Sequence, residues 1–202
     1  HKFFTDHFLL PIDKQKDGTA LLDLQKRVKP FVLRRTKEEV AKELPPKTEQ
    51  IVYSSMTADQ STVYEETKSK FRNFILENIA SQGIKKSQFV ILQGLTQLRQ
   101  ISIHPKMTDP LYISDSGKFI DLIHRIDSAL TQKHKVLIFS QFVKFLSLLE
   151  THLVNEKIPF AYLDGSTRDR KGEIDKFQNS ADVNLFLISL KAGGLGLNLT
   201  AA

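Results

Sequence analysis

From Ala20 to Val28 apolar residues recur at helical spacing until Pro30 interrupts them. Thr36 followed three residues later by Glu39 is a capping-box pattern, which predicts a helix running to Leu44, where Pro45 and Pro46 stop it. Thr48 to Met56, with β-branched and aromatic residues in partial alternation, reads as a short extended stretch. Thr57 with Gln60 forms a second capping box and opens a long helix through Tyr64, Phe71, Phe74, Ile75 and Ile79, closed by Gly83. A further helix from about Ser87 to Ile103 places Val90, Ile91, Leu95, Leu98 and Ile101 near one face, with Pro105 beyond its end. Two such helices in succession predict an antiparallel hairpin.

After Ser114 to Gly117 the pattern changes. A helix from Phe119 to Leu130 leads into the apolar run Val136-Leu137-Ile138-Phe139. A helix from Phe142 to Val154 follows, then Phe160-Ala161-Tyr162-Leu163. Ser166 with Asp169 predicts the cap of another helix, reaching Phe177, and Leu185-Phe186-Leu187-Ile188 follows. Short apolar runs alternating with helices mark β-α-β units, whose strands are buried on both faces and need no alternation. The C-terminal part is therefore expected to be an α/β layer fold with a parallel sheet.

Composition narrows the function classes. At 202 residues, with 41% hydrophobic and 26% charged residues, the chain has the size and make-up of a folded domain with a sizeable core. No window approaches the roughly 20 apolar residues that span a bilayer, so no membrane partner is expected. His1 to Pro11 shows neither a basic leader nor a signal-type cleavage site, and the missing initiator Met suggests a piece of a longer chain. The absence of cysteine rules out disulfides, thiol nucleophiles and cysteine-ligated zinc, and fits an intracellular setting. A net charge of +6 favours polyanions such as nucleic acid.

Ligands of open parallel sheets bind outside the carboxyl ends of the strands. The loops expected there are Ser140-Gln141, Asp164-Gly165-Ser166-Thr167 and the Gly-rich run Ser189 to Asn198, and together they would form one surface. Glycine-rich loops and helix N-termini attract phosphate through exposed N–H groups, and Ser, Thr, Asn and Lys are typical phosphate-contacting side chains. Gly193-Gly194-Leu195-Gly196 lacks the G-x-G-x-x-G spacing of a dinucleotide fingerprint. From the residues alone, a plain structural turn stays open beside a phosphate loop.

The strings VLIFSQF (Val136 to Phe142), LDGSTRDR (Leu163 to Arg170) and LISLKAGGLGLNLTAA (Leu187 to Ala202) resemble the fourth, intermediate and fifth motifs of SWI/SNF-type remodelling ATPases of helicase superfamily two. KPFVLRRTKEEVAKELPPKTE (Lys29 to Glu49), LRQISIHP (Leu98 to Pro105) and SGK (Ser116 to Lys118) resemble segments that the family carries in the same order. The wording of the last motif and the short gap after DGST are most similar to the bacterial members.

The resemblance implies a motor of two RecA-like lobes that hydrolyses ATP, with Mg, at their interface and moves along duplex DNA. Residues 1–47 would then be a lobe-linking helical segment, 48–115 a helical hairpin protrusion, and 116–202 the second lobe, ending within the fifth motif. The partners implied are double-stranded DNA, held by its phosphates, and the first lobe of the same chain. The bacterial likeness points to the cytoplasm, and a eukaryotic source would point to the nucleus. Neither the G-x-x-x-x-G-K-S/T phosphate loop nor an Asp-Glu pair is present, and the arginine-bearing sixth motif would follow Ala202. The chain by itself is therefore expected not to hydrolyse ATP.

Carried over motif by motif, Ser140, Gln141, Gly165, Ser166 and Thr167 resemble positions facing the DNA backbone, the last three at the start of a helix. Gly193, Gly194, Gly196 and Asn198 match the motif that couples DNA to nucleotide. Ser189 and Lys191 are candidate phosphate contacts there, with a solvated surface lysine as the alternative for Lys191. A strand-separating helicase and a non-catalytic nucleic-acid-binding scaffold are the competing functions. Arg34, Arg35 and Lys37 form a basic cluster whose counterpart in the family braces the lobes. The six histidines show no H-x-x-x-H or H-E-x-x-H spacing, and His104 reads as a packed or capping residue. The 14 phenylalanines fall mostly at helical spacing and read as core.

Overall fold

The computed structural model describes residues 1–40, 43, 47–194 and 196–202, and for residues 37, 38, 80–82 and 84–86 it describes the main chain alone. It divides into two compact units, residues 1–51 and 52–202.

The first unit is helical. Helix α1 (Lys2–Phe4) passes through a π turn (Thr5–Leu9) into α2 (Leu10–Gln15), with the Leu10 N–H reaching back to the Thr5 carbonyl. This wide turn immediately precedes Pro11, which has no N–H to contribute to an α-helical ladder. Lys16, at φ 51°, ends α2 in the left-handed region. The Asp17 carboxylate then accepts from the N–H groups of Thr19 at 2.8 Å and Ala20 at 3.3 Å, capping α3 (Gly18–Val28). Phe8 is the buried residue of this unit's first turns, with the Arg27 guanidinium 5.9 Å from its ring centroid. A 3₁₀ turn at Lys29–Phe31, holding Pro30, ends α3. Helix α4 (Lys37–Val40) follows, with the Thr36 N–H donating to the Glu39 carboxylate at 3.1 Å, one half of the expected capping box. The expected end of that helix at Leu44 lies outside the described residues.

In the second unit, residues 52–56 pair with no strand among the described residues, so the extended stretch expected at Thr48 to Met56 forms no sheet. Helix α5 (Ala58–Gln82) starts at the complete Thr57–Gln60 capping box and ends at Gly83, whose φ of 78° suits glycine. Helix α6 (Ile84–Ile103) returns along it. The close approach depends on Gly94: a Cβ there would lie 2.7 Å from the Phe71 ring. The packed face of α6 runs through Ser87, Val90, Ile91, Gly94, Leu98 and Ile101. Leu95, expected on that face, is 54% exposed, because the seam follows Gly94 one residue earlier and turns Leu95 away.

Ser116 caps helix α7 (Gly117–Thr131) through its Oγ, which accepts from the Phe119 N–H and donates to the Ile103 carbonyl at 2.6 Å. Three parallel strands, β1 (Val136–Ser140), β2 (Phe160–Leu163) and β3 (Leu185–Ser189), form a sheet in the order β1-β3-β2. Helix α8 (Val143–Asn155) connects β1 to β2, and α9 (Arg170–Asn179) connects β2 to β3. On one face Ile138, Leu185 and Leu187 pack with Phe119 and Ile126 of α7 and Phe145, Leu149 and Leu153 of α8. On the other, Ala161, Leu163, Phe186 and Ile188 pack with Phe177 of α9. Every residue of the central strand β3 is buried, as a continuous apolar run between two covered faces requires.

The phenylalanines divide. Phe119, Phe145, Phe177 and Phe186 are core, but Phe31 is 87% and Phe89 77% exposed, so helical spacing alone overstates the core. Lys135, just before β1, donates to the carbonyls of Phe177, Ser180 and Val183, placing a cation at the C-terminal end of α9, where the helix dipole favours one.

Candidate functional site

The strand register brings the three loops to one end of the sheet. Ser140 stands opposite Ser189, and Leu163 opposite Ile188, so all three strands end level with one another. Because the pairing is parallel, the chain leaves each strand in the same direction.

At the first loop the Phe142 N–H donates to Ser140 Oγ at 3.1 Å, folding the turn into α8, and the neighbouring Gln141 is exposed. At the second loop Asp164 organises the turn. Its Oδ1 accepts from Ser166 N–H (2.8 Å), Ser166 Oγ (2.7 Å), Thr167 N–H (3.1 Å) and Thr167 Oγ1 (3.3 Å). Thr167 Oγ1 in turn accepts from the Asp164 N–H at 2.9 Å. Burial pushes the Asp164 carboxyl up, but the hydrogen bonds from Ser166 and Thr167 together outweigh it and hold the group below the usual carboxylate range. Tyr162, behind this loop, has its hydroxyl pushed up to about 12, first by burial and then by the Asp164 charge.

This geometry corrects one expectation. Ser166 does not cap a helix, and Gly165, Ser166 and Thr167 do not begin one. They form a closed turn on Asp164, and α9 starts at Arg170, where Asp169 accepts from the Gly172 N–H at 2.8 Å. The Ser166 hydroxyl is already committed to Asp164, so the next carboxylate along, Asp169, takes the capping role.

At the third loop Ser189 caps the short helix α10 (Leu190–Gly193), its Oγ accepting from the Ala192 N–H at 3.3 Å. Ser189 is 3% exposed, so its hydroxyl lies inside the fold rather than on the surface expected for a phosphate contact. Lys191 is exposed. Gly193 is held close to β1: a Cβ on it would lie 3.1 Å from the Phe139 ring. Gly196, at φ 63°, takes the left-handed backbone that glycine allows. The Asn198 carbonyl accepts from Gln178 Nε2 at 2.9 Å.

The structure thus brings Ser140, Gln141, Gly165, Ser166, Thr167, Lys191, Gly193 and Gly194 to loops at one end of the sheet, whereas Asn198 lies farther along the chain, beside Gln178 near the end of α9 that Lys135 ties to the start of β1. Three residues of consequence were given no role of their own in the sequence reading: Asp164, which orders the second loop, and Arg170 and Gln178 of α9, which bond to the third. Asp164 carried a signal, since Asp two residues before Ser or Thr is an Asx-turn pattern. Arg170 and Gln178 carried none, because their partners lie about 20 residues away in sequence. Arg168, also exposed, lies beside the closed turn, and neither it nor Lys191 takes part in an ion pair among the described residues.

Among the described residues there is no group of three His, Asp or Glu residues that could hold a metal ion. His104 is a packed and capping residue: it is buried, and its Nδ1 accepts from the Lys106 N–H at 3.1 Å.

Residues 1–107 match the SNF2-related domain, and residues 117–202 match the helicase conserved C-terminal domain. A putative ATP-dependent helicase/translocase of Bacillus subtilis, YwqA, is 34% identical over 98% of this chain and 22% of its own length. An uncharacterized ATP-dependent helicase of Mycoplasma genitalium is 34% identical over the whole of this chain and 19% of its own. The chain thus spans about a fifth of the length of these relatives. Among solved structures, the Sulfolobus solfataricus SWI2/SNF2 ATPase core in complex with dsDNA matches all of this chain and 43% of its own, at 33% identity and a TM-score of 0.66. With a RecA-like sheet, the loops in register at one end and the motif strings in order, the chain belongs to the SWI/SNF-type, SNF2-related family of helicase superfamily two.

Proposed function

We propose that the chain is the second-lobe portion of an ATP-dependent translocase on double-stranded DNA. In this reading the loops after β1 and β2 bind DNA phosphates, and the loop after β3 couples that grip to ATP hydrolysis. The observation that carries it is the level ending of three parallel strands, which gathers the Ser140, Asp164 and Ser189 loops on one edge. Gln141, Gly165, Lys191 and the exposed Arg168 would meet phosphate directly, while Ser189 shapes the third loop from within. Contacts to phosphate rather than to bases make binding sequence-independent and salt-sensitive. ATP and Mg would be held in the complete two-lobed enzyme chiefly by the first lobe, since this chain supplies neither a phosphate loop nor an acidic pair. Residues 48–115 would form the protruding hairpin and residues 1–47 the link between lobes.

The test is the full-length protein assayed for ATP hydrolysis with and without duplex DNA, for displacement of a third strand from a triplex, and for unwinding of a duplex. Stimulation by duplex and triplex displacement without unwinding is the expected result. Unwinding would establish the strand-separating alternative, and no hydrolysis at all the scaffold alternative. Gly194→Glu places bulk and charge in the coupling loop, where a Cβ has room, with its nearest neighbour the Leu190 carbonyl at 3.8 Å. That variant is expected to fold and to lose duplex stimulation. Unchanged stimulation would remove the coupling role from this loop.

A further inference from the structure

Helix α9 is bonded to the third loop at both of its ends. At its first residue the Arg170 guanidinium donates from Nη2 to the Ala192 carbonyl at 2.9 Å. The N–H of the same residue is taken by Ser189 Oγ, so Ala192 is held from both sides, by the end of β3 and by the start of α9. Two turns later Gln178 donates from Nε2 to the Asn198 carbonyl at 2.9 Å and accepts through Oε1 from the Ala201 N–H at 2.8 Å.

The start of α9 follows directly on the second loop. The Asp169 carboxylate caps this end of the helix and lies directly over Gly172, where a Cβ would come within 2.2 Å of it. Only Arg168 and Asp169 separate Arg170 from the turn closed by Asp164. One turn on from Arg170, α9 is also tied to β2, since Glu173 accepts from the Tyr162 N–H at 2.8 Å. A helix is stiff over this length, so Arg170 and Gln178 offer a route from the second loop to the third in addition to the one through the sheet.

We infer that Arg170 is a positioning residue that links the phosphate-facing turn at 164–167 to the coupling loop at 189–201, with Gln178 as the second tie. This rests on the reading of those loops under Proposed function. Arg170 itself touches no reacting group.

The experiment uses the full-length protein carrying Arg170→Ala, Arg170→Lys or Gln178→Ala. Five quantities are read: the basal ATPase rate, the duplex-stimulated rate, the duplex affinity by fluorescence anisotropy, the thermal midpoint, and amide hydrogen exchange in 190–201 and 136–140. For Arg170→Ala, basal rate and affinity are expected to stay within about twofold of wild type and stimulation to fall about tenfold, a typical size for coupling between sites. Exchange should rise across 190–201 and stay unchanged in β1. Arg170→Lys keeps a donor and should recover part of the stimulation, and Gln178→Ala should show the smaller version of the same pattern.

Unchanged exchange in 190–201 on Arg170→Ala, or full stimulation by duplex, overturns the inference. So does a parallel fall of basal rate, affinity and thermal midpoint, which would mark a merely structural role. If the wild-type protein shows no duplex stimulation, the function proposed above fails, and the exchange comparison alone still decides whether Arg170 ties the loops.

Discussion

Gln60 donates its side-chain N–H to the carbonyl of Ile101, 2.9 Å away, across the hairpin. Its Oε1 accepts from the Gly117 N–H at 3.1 Å, so one carboxamide that is 1% exposed joins α5, the end of α6 and the start of α7. Gln60→Ala would leave a buried carbonyl and a buried N–H without these partners. The expected loss is about 2–3 kcal/mol of unfolding free energy, read from the urea midpoint. Gln60→Glu should cost a similar amount, since an ionised carboxylate has no N–H for Ile101. A loss under about 0.5 kcal/mol in both variants would show that this joint does not hold the hairpin to α7.

Gly117 is there because main chain approaches it. A Cβ would lie 1.7 Å from the Ser55 carbonyl oxygen, a distance no rotamer change relieves. Gly117→Ala must move either the segment before α5 or the start of α7, and is expected to cost more than about 2 kcal/mol. Gly165→Ala is the control: its Cβ would meet nothing within 4 Å, so a change within about 0.5 kcal/mol is expected. Equal thermal midpoints for the two variants would contradict the packing described.

His104 makes the fold sensitive to mild acid. Burial holds its imidazole below the usual histidine range, opposed in part by Asp115, whose carboxylate lies 3.8 Å from Nε2. The unprotonated Nδ1 is also needed to accept from the Lys106 N–H. In the unfolded chain the group titrates near 6.5, higher than in the fold, so between the two values the unfolded state binds more protons. The contribution is therefore complete above about pH 6.5 and lost as the pH falls toward the folded-state value. Unfolding free energy measured from pH 7.5 to 5 should decline for wild type and more shallowly for His104→Asn, whose side-chain oxygen can still accept from Lys106. Identical slopes would exclude His104 as the source.

The elements that the sequence disclosed are those whose signals are local. The Thr57–Gln60 capping box, Gly83 and the three apolar runs placed α5, the hairpin turn and the strands, because capping, glycine stops and burial on both faces act within a few residues. The helices before Lys16 escaped because Pro11 and the π turn break the 3.6-residue period on which such a reading depends. Ser166 was misplaced as a cap because two carboxylates compete there, and which of them a hydroxyl meets depends on how the loop closes.

By itself the sequence determined the family, the alternation of strands and helices and the motif residues, since these rest on residue identity and short-range periodicity. Only the tertiary structure decided that β3 lies between β1 and β2, that Ser189 turns inward, and that Arg170 and Gln178 reach the third loop. Those outcomes depend on strand order and on partners far apart in the chain, and no local propensity encodes either.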